Sequence, residues 1–421
     1  MKKIFLQSAT IVHPEFKSKE SQDVLIIEGR IAEIGSGLKI PVGAEVIDAK
    51  DCFLSVGFCD LNVNFGEPGL ETKESIASGC AAALAGGITA LALMPNTTPA
   101  LHSKSEISYI LNKSKDEGVE IYPIGAISED RKGEHMAELY DMKLAGALAF
   151  SDGDHPVKDT GLMSRSLLYA KGIESKLFAY AEDPGLAGKA PVNEGPMSTI
   201  LGLKGNPALA EELMIARDIE LAAYHDTAIH FSTISSAKSV QLIREAKAKG
   251  IQVTCDVATH HLVFTEDVLS DFDSNYKVKP PLRTENDRQA LLAGLKDGTI
   301  DAIVSQHTPH EIEFKNVEFG LAAFGMIGLQ TLLPMAIQAG LKPTELVDKL
   351  VVNPRKILGV DLPKIALGEQ ANLVLFDPKA SWIFDSSSNR SRSANSPLMK
   401  QKLTGKVVWV CNKSQSFRSN F

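Results

Sequence analysis

Residues 57–69 read GFCDLNVNFGEPG, and this stretch decides the fold of the chain. It begins as an apolar run of strand length, and the glycines and proline at its end indicate a loop. Alternate side chains of an extended strand share a face. Asp60, Asn62 and Asn64 therefore lie on one face of the predicted strand, and Leu61 and Val63 lie on the other. The polar face runs to the point where strand becomes loop.

Seven more runs of strand length follow, and stretches with the 3.6-residue period of a helix separate most of them. The eight runs are Gly57–Val63, Thr89–Met94, Glu120–Ile124, Gly146–Phe150, Leu177–Ala181, Ala228–Phe231, Ile251–Asp256 and Ala302–Ser305. The helical stretches include Ile76–Leu84, Lys104–Ser114, Ala208–Tyr224, Ser236–Lys249 and Asp287–Leu295. This alternation predicts an α/β fold with a closed (β/α)₈ TIM barrel. The alternative is a doubly wound open sheet, but no G-x-G-x-x-G turn follows an early strand.

Both ends of the chain are rich in short β-type runs and hold too few apolar residues to fold alone. We therefore predict one small β-domain formed by both termini. The predicted limits are 1–54 for its N-terminal part, 55–360 for the barrel and 361–421 for its C-terminal part. The polar stretch SSSNRSRSANS at 386–396 is either disordered or a structured surface loop.

Composition limits the classes of function. The 421 residues are 44% hydrophobic and 23% charged, enough for a large core and a smaller domain. A net charge of −8 argues against nucleic acid or an anionic membrane as the main partner. Five scattered cysteines suit a reducing compartment better than a disulfide framework. No signal peptide or membrane span is evident, so we expect a soluble, cytoplasmic protein.

Function in such a barrel is built where the strands end and the following loops begin. The segments at these ends, in order, are GFCDLNVNFGEPG, MPNTTPA, FSDGDHPV, AEDPGLAGKAPVNEG, HFSTISS, KVKPPLR, DGTIDAIVSQHTPH and FGMIGLQTLLP. This ordered set resembles dihydroorotase of the two-domain bacterial type, a member of the amidohydrolase superfamily. The C-terminal NRSRSANSPLMKQKLTGKVVWV resembles the closing segment of the same family, so the resemblance covers nearly the whole chain.

The resemblance implies an enzyme that interconverts dihydroorotate and carbamoyl aspartate at a site with one or two zinc ions. It also implies six metal-binding positions: an H-x-H pair on strand 1, an acid after strand 4, one histidine each on strands 5 and 6, and an aspartate after strand 8. In this sequence those positions hold Asn62, Asn64, Gly153, Tyr180, His230 and Gln306. Only His230 keeps the residue type of the family.

These substitutions predict that the chemistry of the family is absent. Zinc needs at least three good nitrogen, sulfur or carboxylate ligands, and a neutral amide oxygen is a poor ligand. The strand 8 aspartate of the family also moves the proton, whereas Gln306 cannot titrate, and losing acid–base assistance costs roughly 10²–10⁴ in rate. We therefore expect no catalytic residues and no cofactor, although active relatives use zinc. A rival hypothesis is a rebuilt metal site from Asp152, Asp154 and His155 with His230.

Four residues are candidates for ligand binding: Asn96, His230, Lys279 and His310. Asn96 and His310 match family positions that contact the substrate, but the arginine that would hold its carboxylate is replaced by Gly66. Lys279 stands where the family has asparagine. It would offer a cation to an anion or be a solvated loop charge, and the second interpretation is preferred. For His230, a hydrogen-bonded core histidine is preferred.

The leading hypothesis is a non-catalytic dihydroorotase-like protein of pyrimidine biosynthesis. By analogy with noncatalytic relatives, its expected role is that of a structural or regulatory partner of aspartate transcarbamoylase. One alternative is an active dihydroorotase or related cyclic-amide hydrolase with a rebuilt metal site. The other is a non-catalytic binder of an anionic pyrimidine precursor, with weak affinity. Because barrels of this family are often dimers, a homodimer is also expected.

Overall fold

The eight strands of the barrel form at the eight predicted places in a computed structural model, which describes residues 2–16, 20–413 and 415–419. In chain order, strands 1 to 8 of the barrel are Phe58–Val63, Ile88–Leu93, Glu120–Pro123, Ala149–Phe150, Lys176–Tyr180, Ile229–Ser232, Val253–Ala258 and Ala302–Val304. Strand 4 is shorter than predicted, because Gly146 ends the preceding helix in the left-handed conformation (φ 115°). The prediction of a TIM barrel is confirmed.

The barrel closes from two parallel arcs. Strands 1 to 3 pair in one arc and strands 4 to 8 in the other. Isolated parallel bridges join the arcs, from Gly125 to Phe150 on one side and from Val63 to His307 on the other. The backbone N–H of Asn64 donates to the carbonyl of His307 at 2.9 Å, so the ends of strands 1 and 8 are fixed together.

Helices cover the outside of the barrel and follow most of its strands. The α-helices are Ile76–Ala85, Lys104–Lys113, Leu139–Ala145, Thr160–Gly172, Pro184–Ala187, Pro196–Leu201, Leu209–His225, Ala237–Ala248, Thr259–Val263, Glu285–Lys296, Ile312–Lys315, Leu332–Gln338, Pro343–Val347 and Asn353–Leu358. Several begin at a capping side chain; Ser75, Ser236 and Thr284, for example, each accept a backbone N–H three residues on. None of the helices among the described residues is long and apolar enough to cross a bilayer.

Strands from both ends of the chain form one further sheet. Its strands are Lys3–Ile11, Gln22–Ile27, Arg30–Gly35, Glu45–Asp48, Phe53–Val56, Asn372–Phe384, Gln401–Asn412 and Gln415–Arg418. The two halves meet where Phe53–Val56 pairs antiparallel with Asn372–Phe384. Strand Phe53–Val56 crosses the predicted limit between residues 54 and 55, so the N-terminal part of the sheet extends two residues beyond that limit. The proposed domain limits otherwise stay a prediction.

The polar stretch 386–396 is a structured loop that lies against the barrel. Buried Glu74 accepts hydrogen bonds from the Ser391 hydroxyl and from the backbone N–H of Arg392 at 2.9 Å. Asn395 donates to the carbonyls of Thr308 and Gly325. The loop therefore connects the β-domain to the segment that follows strand 8.

Candidate functional site

The carboxyl ends of the barrel strands surround a small polar cavity of about 40 Å³. Its walls include all five positions at which a metal ligand of the resembled family is predicted to be replaced: Asn62, Asn64, Gly153, Tyr180 and Gln306. Two of the predicted ligand-binding residues, Asn96 and Lys279, also line it. A volume of this size holds one or two water molecules rather than a six-membered ring compound. The mouth of the barrel is therefore nearly filled by its own side chains.

Amide groups at the mouth are engaged with protein groups. Asn64 Nδ2 donates to the carbonyl of His307 and to the Thr308 hydroxyl, each at 3.1 Å. Gln306 Nε2 donates to the carbonyl of Lys279 at 2.8 Å. Gln306 has a left-handed backbone (φ 48°), which is uncommon outside glycine and marks a constrained turn after strand 8.

Lys279 and Glu182 form an ion pair at the wall of this cavity. The Lys279 ammonium lies 2.9 Å from Glu182 Oε1 and 5.2 Å from the ring centroid of Tyr180. Glu182 Oε2 accepts from the Tyr180 hydroxyl at 3.2 Å and from Asn206 Nδ2 at 3.0 Å. The preferred interpretation of Lys279 as a solvated loop charge is therefore wrong. Its charge is directed inward and paired.

Tyr180 remains a neutral phenol at physiological pH. Burial, followed by the negative charge of Glu182, raises the pKa of Tyr180 well above its ordinary value. A phenolate would be a usable metal ligand, but a neutral phenol is not. The residue in place of the strand 5 histidine is thus a protonated phenol hydrogen-bonded to Glu182.

His230 lies outside the cavity, in the wall of the barrel. It is fully buried, and its Nε2 is 2.9 Å from Asp256 Oδ2 while its Nδ1 is 2.9 Å from the Thr254 hydroxyl. Its ring packs against Phe178 at 4.4 Å between centroids. Both ring nitrogens are occupied, so its placement among the ligand-binding residues is contradicted. The preferred interpretation, a hydrogen-bonded core histidine, agrees with this geometry.

The residues of the rival metal site are engaged in separate contacts. Asp152 accepts from the backbone N–H and the hydroxyl of Ser128. Asp154 pairs with Arg131, and Nδ1 of His155 is 3.1 Å from the carbonyl of Arg131. Within the described ranges, no group of three or more His, Cys, Asp and Glu side chains is arranged to hold a metal ion.

A second cleft of about 300 Å³ opens beside the mouth. Asn96 and His310 line it, and His310 donates from Nε2 to the carbonyl of Phe324 at 2.9 Å. Burial lowers the pKa of His310 to about 4, so its ring is neutral at pH 7. Nδ1 of His310 and the side-chain oxygens of Asn64 and Asn96 are buried without a protein hydrogen-bond partner. Three residues that line this cleft therefore each hold a buried acceptor with unused capacity.

At two replaced positions, Gly153 and Gly66, neighbouring atoms occupy the space that a larger side chain would need. A Cβ atom at Gly153 would lie 1.9 Å from Asn96 Oδ1, and Gly153 has a φ of 65°. A Cβ atom at Gly66 would lie 1.8 Å from the carbonyl oxygen of Leu70. A larger residue at Gly153 would require the Asn96 side chain to move, and one at Gly66 would require the backbone at Leu70 to move.

Glu182 and Thr233 are functional-site residues that sequence reasoning missed. Glu182 lies two residues after Tyr180, and the period of a strand, continued past its end, places both on one face. Thr233 lines the cavity and, like Gln306, has a left-handed backbone (φ 53°). No pattern in the sequence indicates that conformation.

Comparison with known proteins shows the family to which the chain is similar over most of its length. A model of the Dihydro-orotase-like family matches residues 53–239, and a model of the Amidohydrolase family matches residues 197–410. The dihydroorotase of Geotalea daltonii is 43% identical over 97% of this chain and 97% of its own. The chain belongs to the dihydroorotase family. The dihydroorotase of Acetivibrio thermocellus is 41% identical, again over 97% of both chains.

Solved structures extend the comparison to the fold. L-hydantoinase from Arthrobacter aurescens superimposes with a TM-score of 0.84 at 23% identity, covering 100% of this chain and 96% of that one. Dihydropyrimidinase from Brevibacillus agri gives a TM-score of 0.83, also at 23% identity, over 99% and 95% of the two chains. The barrel with its appended β-domain is thus the fold of these two solved structures.

The mouth of this dihydroorotase family member does not fit the zinc ions that the family implies. Amide, phenol and glycine stand at five of the six predicted ligand positions, and both nitrogens of the sixth predicted position, His230, are bonded within the barrel wall. A binuclear centre also needs bridging negative charge. Here the buried carboxylate of Glu182 is already paired with Lys279.

Proposed function

We propose that this chain is a dihydroorotase-like protein that does not carry out the metal-dependent hydrolysis of its family. One observation carries the proposal: the five replaced positions meet in a single cavity, and none of them offers imidazole or carboxylate. Without a bound metal, no group at the mouth generates hydroxide at neutral pH. Gln306, in place of the family's proton-transferring aspartate, has no titratable group.

The alternative, an active dihydroorotase, is favoured by the names of relatives that are 40–43% identical to this chain. Identity over the whole chain reflects the scaffold, whereas the reaction depends on a few side chains. Zinc content and dihydroorotate hydrolysis, measured on one purified sample, separate the two functions. We expect substoichiometric zinc and no turnover. One zinc per chain with turnover would support the active enzyme.

A second candidate function is the binding of a pyrimidine precursor without conversion. The unpaired acceptors Asn64 Oδ1, Asn96 Oδ1 and His310 Nδ1 favour it, because a cyclic ureide presents N–H donors. Lys73 lines the same cleft and supplies positive charge for a carboxylate. Isothermal titration with dihydroorotate tests this function. This function requires that dihydroorotate binds with millimolar or better affinity and that Asn96→Ala abolishes the binding. The absence of binding heat at millimolar dihydroorotate would exclude this function.

For the cellular role we propose a structural or regulatory partnership with aspartate transcarbamoylase. The proposal rests on the family of this chain and on a scaffold that is intact while the hydrolytic residues are replaced. Sedimentation of an equimolar mixture with the transcarbamoylase from the same source tests it. We expect a faster-moving complex. Independent sedimentation of the two proteins would contradict the partnership without affecting the proposal on catalysis.

A further inference from the structure

Three loops converge on the Lys279 ammonium group at the mouth of the barrel. Besides Glu182 Oε1 at 2.9 Å, the ammonium donates to the backbone carbonyl of Asp154 at 3.2 Å. The ring of Tyr180 lies 5.2 Å away, within the range of a cation–π contact. Asp154 follows strand 4, Tyr180 ends strand 5 with Glu182 just beyond it, and Lys279 follows strand 7.

The three acceptors account for the whole bonding capacity of an ammonium group. A lysine ammonium has three N–H donors. One is directed to the carboxylate of Glu182, one to the carbonyl of Asp154, and the face of Tyr180 takes the third side. An aromatic face attracts an alkylammonium ion but is no ligand for a divalent metal. The surroundings therefore fit an ammonium ion and do not fit zinc.

Glu182 in turn requires a cation. Its side chain is 8% exposed, and a carboxylate removed from water is stable only when it is paired and hydrogen-bonded. Among the described residues, Lys279 is the one cation within ion-pair distance of Glu182. Tyr180 and Asn206 supply neutral donors to Glu182 Oε2 and complete its hydrogen bonding.

We propose that Lys279 is the resident cation of the barrel mouth and takes over the charge role that a metal ion has in active relatives. This inference rests on the proposed function, because a tethered ammonium and a zinc centre would compete for the same space. It has a consequence for ligand chemistry. When the lysine side chain is shortened, Glu182, the Asp154 carbonyl and Tyr180 form a receptor for a small primary alkylammonium ion.

Chemical rescue of Lys279→Ala by propylammonium tests the proposal, with thermal unfolding as the measurement. Loss of the cation leaves a buried carboxylate unpaired, so we expect a fall of about 3–6 °C in the unfolding temperature. Propylammonium at tens of millimolar should restore most of this loss. Tetramethylammonium should not, because it has no N–H donor. Lys132→Ala is the matched control, since its ion pair with Asp130 is exposed and it should respond to neither ion.

Two further variants keep the test decisive if Lys279→Ala fails to fold. The double variant Lys279→Met/Glu182→Gln carries neither charge. It should therefore unfold at a higher temperature than the single variant Lys279→Met and show no rescue by propylammonium. Propylammonium rescue that persists without Glu182 would overturn the assignment, as would a Lys279→Met variant as stable as the native protein. Zinc-dependent turnover by the native protein would instead refute the proposed function, whatever the rescue shows.

Discussion

Gly153 and Asn96 illustrate at the scale of single residues how the mouth has adapted to its substitutions. The side-chain oxygen of Asn96 occupies the space that any larger residue at position 153 would need. The left-handed backbone of Gly153 adds a second obstacle, since residues with a Cβ atom rarely adopt it. The site has thus diverged in packing as well as in chemistry.

Gly153→Asp, which restores the acid of the family, should lower the free energy of unfolding by about 2–4 kcal/mol, from backbone strain and steric overlap together. Urea unfolding measures the loss. Gly202→Asp is the matched control, because Gly202 has nearly the same φ of 66° but nothing within 4 Å of an added Cβ atom. It should lose only about 1 kcal/mol. Equal losses in the two variants would show that Asn96 is no obstacle.

At the scale of elements, the segment after strand 8 is held by two buried lysines. Lys315 donates to the carbonyls of Ala323 and Gly325, and Lys277 donates to those of Phe319 and Gly320. Desolvation lowers the pKa of Lys315 to about 7 and that of Lys277 to about 8. Neither lysine has a carboxylate within ion-pair distance among the described residues, and Asp273 raises the pKa of Lys315 by less than desolvation lowers it.

These pKa values predict that the protein becomes more stable as the pH rises above 7. The folded state releases the Lys315 proton near pH 7, whereas the unfolded state holds it to about pH 10.4. Between those values the unfolded state binds more protons, so stability increases with pH. Urea unfolding from pH 6 to 9 should show the native protein gaining about 1 kcal/mol per pH unit relative to Lys315→Met. A pH-independent difference would contradict the prediction.

The elements themselves were predictable from the sequence, and the side-chain network at their ends was not. Apolar runs reveal strands because most of the eight are buried on both faces, whereas in Glu120–Pro123 buried and half-buried residues alternate. Family motifs locate Asn62, Asn64 and Tyr180 at the strand ends. The direction of Lys279 depends on its pairing with Glu182, which is 97 residues away in the chain. The burial of His230 depends likewise on Asp256. Pairings between distant loops leave no periodic signal.

At the scale of the whole molecule, Glu74 connects the barrel to the C-terminal loop of the β-domain. It is fully buried, accepts from Ser391 and Arg392, and lies 3.3 Å from His307 Nε2. Glu74→Ala should therefore cost about 3–5 kcal/mol of unfolding free energy, because several buried donors lose their acceptor. Glu313→Ala, at an exposed position, should change it by less than about 0.5 kcal/mol. Similar urea midpoints for the two variants would contradict this role of Glu74.

The central claim, that a dihydroorotase scaffold has lost its metal-dependent reaction, is tested most directly by metal analysis and dihydroorotate hydrolysis on one sample. The protein would be incubated with excess zinc, freed of unbound metal and assayed beside the dihydroorotase of Acetivibrio thermocellus. We predict well below one zinc per chain and a rate indistinguishable from buffer. Stoichiometric zinc with hydrolysis that a chelator abolishes would contradict the account.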